Sequence, residues 1–237
     1  MSGKKRILII VLLCSSVFAN AQEFLSTYCT VYPENCKRAH AFTDEHHDVF
    51  DSIVKQHNYP ATFLMAIVAP EVSRYNEVSD QAQTMALEMF YTQMGTDYAN
   101  FSIGYFQMKP SFVEEMEAYA KADSVLKTQY KAVLQFNAEA EGAIRSERIQ
   151  RLKELKWQVN YLCLFYAIME QKYGKTSFNS VADKLWFYAA AYNSGFNKNK
   201  EKIEKWEKIA WFPNGDSGPE NFIYSFVAYE FYYRFNN

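Results

Sequence analysis

The sequence predicts an all-α fold with at most a minimal β-hairpin, and three observations carry that expectation. Apolar residues recur every three or four positions along most of the chain, the period of helices buried on one side. Ser, Thr, Asp and Pro at the starts of these segments, and glycine at their ends, punctuate them as helix caps do. No internal repeat and no low-complexity linker interrupts them, so one domain is expected after a short N-terminal stretch.

At the N-terminus, Lys4-Lys5-Arg6 precedes an apolar run from Ile7 to Phe18 and then Ala19-Asn20-Ala21 before Gln22. That is the layout of a secretory signal peptide over residues 1–21. The run is shorter than the roughly 20 residues needed to span a bilayer, so no stable membrane insertion is expected after cleavage. Cys14 follows Leu12-Leu13, where a lipoprotein site has small residues, which makes lipid anchoring the lesser alternative. Removing Lys4, Lys5 and Arg6 takes the formal charge from -2 to -5. The expected product is exported, to the periplasm or the extracellular medium. Just inside it, Cys29 and Cys36 have the short spacing of a local disulfide in an oxidising compartment. Cys163, among Leu162, Leu164 and Phe165, reads as a small buried hydrophobe.

Residues 22–58 are expected to form an N-terminal extension and first helix, and 59–237 the main domain. Thr43 precedes Asp44-Glu45, acidic residues suited to a first helical turn, and Phe50, Ile53, Val54 and His57 continue the period. The next helix starts near Pro60 and carries Leu64, Ile67, Val68 and Glu71 on one face. Pro70 lacks the amide that would bond the Ala66 carbonyl, so this helix is expected to kink or end there. Ser79-Asp80 open a third helix that stops at Gly95. After a loop over 96–109, Ser111 and Glu114 form a capping-box pattern for a helix carrying Phe112, Met116 and Tyr119. A further helix is expected from Asp123 to Phe136, and a long one from Ser146 to Tyr173, with the Ala/Glu/Gly stretch between them ambiguous. A buried helix from Val181 to Tyr192 leads into Asn193-Ser194-Gly195. A Lys-rich helix around Ile203 and Trp206, a Pro/Gly loop, and an aromatic helix from about Pro219 to Phe235 close the chain.

Composition removes two classes of function. With 49% of 237 residues hydrophobic, the chain can bury a substantial core, which excludes a disordered protein. Acidic and basic residues are mixed along it, without the basic stripe that phosphate neutralisation requires, so no nucleic-acid partner is expected.

Three segments place polar residues at helix ends and in the longest loop: Ala66-Ile67-Val68-Ala69-Pro70-Glu71-Val72-Ser73-Arg74-Tyr75-Asn76, Phe101-Ser102-Ile103-Gly104-Tyr105-Phe106-Gln107-Met108-Lys109-Pro110-Ser111, and Ala190-Ala191-Tyr192-Asn193-Ser194-Gly195. In this order they resemble the motifs of the soluble lytic transglycosylase family of the lysozyme-like superfamily, to which goose-type lysozyme is related. The first is similar to a helix ending in Glu-Ser before an aromatic-Asn pair, the second to Gly-Ala-x-Gly-Leu-Met-Gln-x-x-Pro-Ser, and the third to Ala-Ala-Tyr-Asn-x-Gly. Val72 stands where the family has Ser after its Glu, Pro70 directly precedes Glu71, and Gln81 to Met94 insert about one helix before Gly104.

The resemblance implies a lysozyme-like α-helical domain with any hairpin near the active-site loop, no cofactor, and peptidoglycan glycan strands as substrate and partner. It implies cleavage of the MurNAc-β-1,4-GlcNAc bond with Glu71 as general acid and then base, closing a 1,6-anhydro ring on the muramic sugar. Carried over residue by residue, it makes Ser102, Gly104, Gln107, Tyr192, Asn193 and Tyr224 the substrate-binding positions.

The residues support this role on their own terms. Glu71 follows an apolar helix face near a helix C-terminus, where burial and the negative end of the dipole both disfavour a carboxylate and keep it a proton donor. Gln107 is a polar loop residue suited to sugar contact, and Gly104 permits close backbone approach. Ser102 reads equally as a cleft hydrogen-bonding group or a turn residue, and Tyr192-Asn193-Ser194-Gly195 taken alone reads equally as a helix C-cap. Two alternatives stand beside the transglycosylase reading. A muramidase would recruit a second carboxylate, for which Glu77, Asp80 and Asp97 are the candidates near in sequence. A non-catalytic glycan-binding protein would keep the cleft, with Val72 and Pro70 marking a decayed site. No metal site is expected: His40, His46, His47 and His57 lie close in sequence but form no His-Glu-x-x-His pattern.

Overall fold

The computed structural model describes residues 27–215 and 220–236, so the signal-peptide reading of 1–21 and the start at Gln22 lie outside the described residues. The aromatic helix expected from about Pro219 begins instead at Tyr224, because Phe222 and Ile223 are extended and pair as a strand before it. A short helix, α1 (Thr27–Val31), turns at Tyr32 into α2 (Pro33–Gln56). The Cys29–Cys36 disulfide joins α1 to the start of α2, as the spacing predicts. Helix α2 begins well upstream of Thr43, because Pro33 at the first position and Glu34 in the first turn suit a helix start. Thr43 instead sits mid-helix, its Oγ1 donating to the Ala39 carbonyl at 2.9 Å.

Helix α3 (Ala61–Arg74) is the centre of the core: every residue from Phe63 to Ser73 is buried. A helix apolar on all sides is stable only with neighbours all round. It packs against α2 and against three helices from later in the chain, described below. It does not end at Pro70. The missing amide costs roughly 3 kcal/mol in a helix interior, but burial of Val68, Ala69 and Val72 offsets it, and Ser73 Oγ donates to the Pro70 carbonyl at 2.7 Å.

Asn76 caps α4 (Glu77–Ala86), its Oδ1 accepting from the Ser79 amide at 3.0 Å, so the cap precedes the expected Ser79. A π-helical turn (Leu87–Tyr91) carries it into α5 (Thr92–Met94), which Gly95 stops at φ 84°. Helix α6 (Pro110–Ala122) starts without the capping box. Asn100 supplies the cap from across the loop, accepting from the Ser111 amide at 3.1 Å and donating to Ser111 Oγ at 2.8 Å, while Tyr91 Oη donates to Glu114 at 2.7 Å.

Two short helices, α7 (Ser124–Gln129) and α8 (Lys131–Leu134), replace the single one expected from Asp123. The long helix expected from Ser146 is likewise two, α9 (Glu141–Lys153) and α10 (Leu155–Tyr173), separated by the extended Glu154 at ψ 125°. The loop at Gly104 packs against this break. A Cβ at position 104 would lie 2.5 Å from the Leu152 carbonyl oxygen, and Gln158 Oε1 accepts from the Phe106 amide at 2.8 Å.

Ser180 caps α11 (Val181–Ser194), and Asn199 caps α12 (Lys200–Trp206). Strands β1 (Ala210–Phe212) and β2 (Phe222–Ile223) pair antiparallel with Ala210 opposite Ile223 and Phe212 opposite Phe222, and α13 (Tyr224–Phe235) ends the described chain. The fold is all-α with this one minimal hairpin among the described residues. It lies before α13, whereas the loop over 96–109 carries a single bridge between Ile103 and Met108. Helices α10, α11 and α13 are the later elements that enclose α3. Cys163 is fully buried on α10, and burial pushes its thiol up to about 12. No helix among the described residues is long and apolar enough to cross a membrane.

Candidate active site

Glu71 occupies the last turn of α3, and its side chain is 8% exposed. It opens on a cavity of about 330 Å³ walled by the end of α3, the loop over 96–109, the first turns of α6 and the end of α11. Glu71 Oε2 accepts from Arg74 Nε at 2.6 Å. Burial raises the Glu71 carboxyl above the usual carboxylate range; the Arg74 guanidinium, and more weakly the Lys109 ammonium, pull it back without cancelling the effect. The nearby C-terminal end of the helix acts in the same direction as burial.

Of the residues expected to bind substrate, Ser102, Gln107, Tyr192 and Asn193 line this cavity together with Glu71. Gln107 adopts φ 48° and folds its amide back, Nε2 donating to the Gly104 carbonyl at 2.9 Å and to Asp80 Oδ1 at 3.3 Å. Ser102 Oγ donates to Gln107 Oε1 at 3.4 Å; Ser102 lies in the cavity wall just before the turn over 104–107, so it is a cavity residue and not a turn residue. Tyr192 Oη donates to the Phe106 carbonyl at 2.7 Å, which fixes the loop against α11.

Gly104 and Tyr224 are not in the cavity wall. Gly104, at φ 75°, is the close-packing residue of the loop: its amide donates to Asp80 Oδ1 at 2.6 Å and its Cα faces Leu152 and Gln158, so the close approach is to protein and not to a sugar. Tyr224 is 1% exposed, and its Oη donates to the Ile67 carbonyl at 3.0 Å, bracing the helix turn that precedes Glu71.

None of the carboxylates considered as a second acid or base lines the cavity. Glu77 and Asp97 are exposed, and Asp80 is committed to holding Gly104 and Gln107, with burial raising its carboxyl. The second carboxylate in the wall is Glu115 of α6, whose Oε2 accepts from Asn197 Nδ2 at 2.9 Å. Sequence reasoning missed Glu115, Lys109 and Arg74 as cavity residues. Arg74 had a usable signal, because a residue three positions beyond Glu71 on one helix faces it. Glu115 had none, since its place depends on how α6 meets the end of α11.

The histidines are dispersed. His40 packs against Phe231 and Phe235, His46 against Phe42 and Tyr105, and His57 stacks on Tyr59 and Tyr130. Among the described residues, no three His, Cys, Asp or Glu side chains gather where they could hold a metal ion. The chain matches no protein-family model, no curated protein and no solved structure.

Proposed function

We propose that the chain is a peptidoglycan lytic transglycosylase that cleaves the MurNAc-β-1,4-GlcNAc bond, with Glu71 as its acid and base. The observation that carries this reading is a buried carboxyl, held toward its protonated form, in the wall of a cavity that also gathers Ser102, Gln107, Tyr192 and Asn193. Such an acid gives its proton to the glycosidic oxygen as the bond to C1 breaks and oxocarbenium character develops. Glu71, now a carboxylate, takes the proton of the C6 hydroxyl while O6 bonds to C1. The acid is regenerated, no water is consumed, and the new end is a 1,6-anhydro sugar. The bond between Cys29 and Cys36 suits an exported protein working in an oxidising periplasm or outside the cell.

One observation favours a second reading, hydrolysis by a muramidase: Glu115 shares the cavity and is the group available to activate a water. Digestion of purified peptidoglycan, borohydride reduction and mass spectrometry separate the outcomes. The transglycosylase yields new ends one water lighter that resist reduction, and a muramidase yields reducible ends. Absence of any soluble fragment would leave a non-catalytic glycan-binding protein.

A further inference from the structure

Arg74 holds Glu71 through one nitrogen only. Its Nε donates to Glu71 Oε2 at 2.6 Å, whereas its two terminal amino groups make no hydrogen bond among the described residues. The side chain is 38% exposed and forms part of the cavity wall, with its guanidinium carbon 5.5 Å from the centre of the Phe212 ring. A guanidinium with two unused donors facing a cavity matches a carboxylate in bidentate geometry. Lys109 brings a second positive charge to the same wall.

We propose that Arg74 is the receptor for a carboxylate carried by the glycan, and that occupying its free amino groups loosens its grip on Glu71, so that the acid is more fully loaded when such a substrate is bound. This deepens the glycan-cleaving reading of the cavity and rests on it. In the free protein two influences on Glu71 oppose each other: burial favours the neutral acid, and the Arg74 pair favours the carboxylate. A substrate carboxylate at the guanidinium shares its positive charge and adds a negative one close by. Both changes drive Glu71 to take a proton from solvent, which is the state the first step needs. The other groups whose interactions reach Glu71 are the phenols Tyr28, Tyr192 and Tyr224, all kept neutral by burial, together with Lys109. Arg74 is the cation bonded to the acid and thus the one whose occupancy matters most. A neutral glycan cannot make this exchange.

The carboxylate could belong to the lactyl ether on the sugar or to a peptide stem. Three substrates distinguish the sources: strands with intact stems, strands stripped of stems so that lactyl carboxylates are free, and stripped strands whose carboxylates are converted to primary amides. Binding and cleavage of each are measured with wild type and Arg74→Gln. Wild type should bind and cleave at least one carboxylate-bearing form about tenfold better than the amidated form, the scale of a charge-assisted bond, and Arg74→Gln should bring that ratio to about one. On amidated strands, Arg74→Gln should also extend activity to higher pH, because Glu71 keeps its proton without the ion pair; a purely structural role for Arg74 would not move that limb. Equal handling of all three substrates by wild type, or an unchanged preference in a folded Arg74→Gln protein, overturns the proposal while leaving the glycan-cleaving reading intact. Binding preference that depends on Arg74 without any cleavage would support the receptor and overturn the enzyme.

Discussion

The Tyr192 hydroxyl donates to the Phe106 carbonyl oxygen at 2.7 Å, and the Phe106 amide donates to Gln158 Oε1 at 2.8 Å. Both backbone polar groups of one loop residue are therefore fixed by helices, α11 on one side and α10 on the other. Phe106 itself is fully buried. This clamp holds the neighbouring Gln107 at the cavity, so the loop that carries the second motif acts as part of the rigid core.

Tyr192→Phe removes the donor and leaves a buried carbonyl unpaired, which costs about 1–3 kcal/mol. Thermal unfolding should show that loss. Glycan cleavage should fall further than the folded fraction does, by about tenfold, because Gln107 loses its fixed position. A variant with wild-type turnover would show that the loop needs no clamp.

Gly104→Ala should destabilise by about 3 kcal/mol or more, since a positive φ and a backbone clash act together. The added Cβ would meet the Leu152 carbonyl oxygen at 2.5 Å, and that oxygen belongs to the helix end at the α9–α10 break. Denaturant titration measures the effect, and a midpoint equal to wild type would mean the loop stands clear of the break.

These contacts also explain what the sequence could and could not reveal. The apolar run of α3, the Gly95 stop and the buried helix before Gly195 are local features, and each is where its residues indicate. The break at Glu154 is not local. Leu152, Val159 and Leu162 keep a helical period across it, and the interruption goes with tertiary packing by Gly104 and Phe106. Glu71, Gln107, Ser102, Tyr192 and Asn193 were recognisable because each lies within a short contiguous motif, and the structure brings them to one cavity. Glu115 and Lys109 join them through the placement of α6, and Tyr224 leaves the set because its hydroxyl is spent on the Ile67 carbonyl.

Arg148 forms the most deeply buried ion network of the described residues. It pairs with Glu117 at 3.0 and 2.8 Å, reaches Glu114 at 3.1 Å and bonds Tyr91, while Tyr161 Oη also donates to Glu117 at 2.9 Å. Arg148→Met would strand Glu117, which is 2% exposed, and should cost about 3–5 kcal/mol. Adding Glu117→Gln should recover part of that loss, because the uncompensated charge is then gone. Additive losses in the double variant would refute the network.

Stability should depend on pH through Glu71. Its carboxyl titrates above the ordinary value of 4.5 in the folded protein, so the contribution of the neutral acid is complete below that value and is lost as pH rises through the folded value. Glu71→Gln does not titrate, so its stability relative to wild type should rise as pH increases from about 4.5 upward, the ordinary value of a glutamate carboxyl. Melting temperatures of both proteins across that range test the sign, and a gap that narrows with pH would place the folded value below the unfolded one.

The most direct test of Glu71 as the acid is the initial rate of soluble muropeptide release from purified peptidoglycan by wild type and by Glu71→Gln, with folding of both confirmed by circular dichroism. The substitution keeps the shape of the side chain and removes the transferable proton. The rate should fall at least about 100-fold, the scale of a positioned general acid. A folded Glu71→Gln protein that releases muropeptides at the wild-type rate would contradict the assignment.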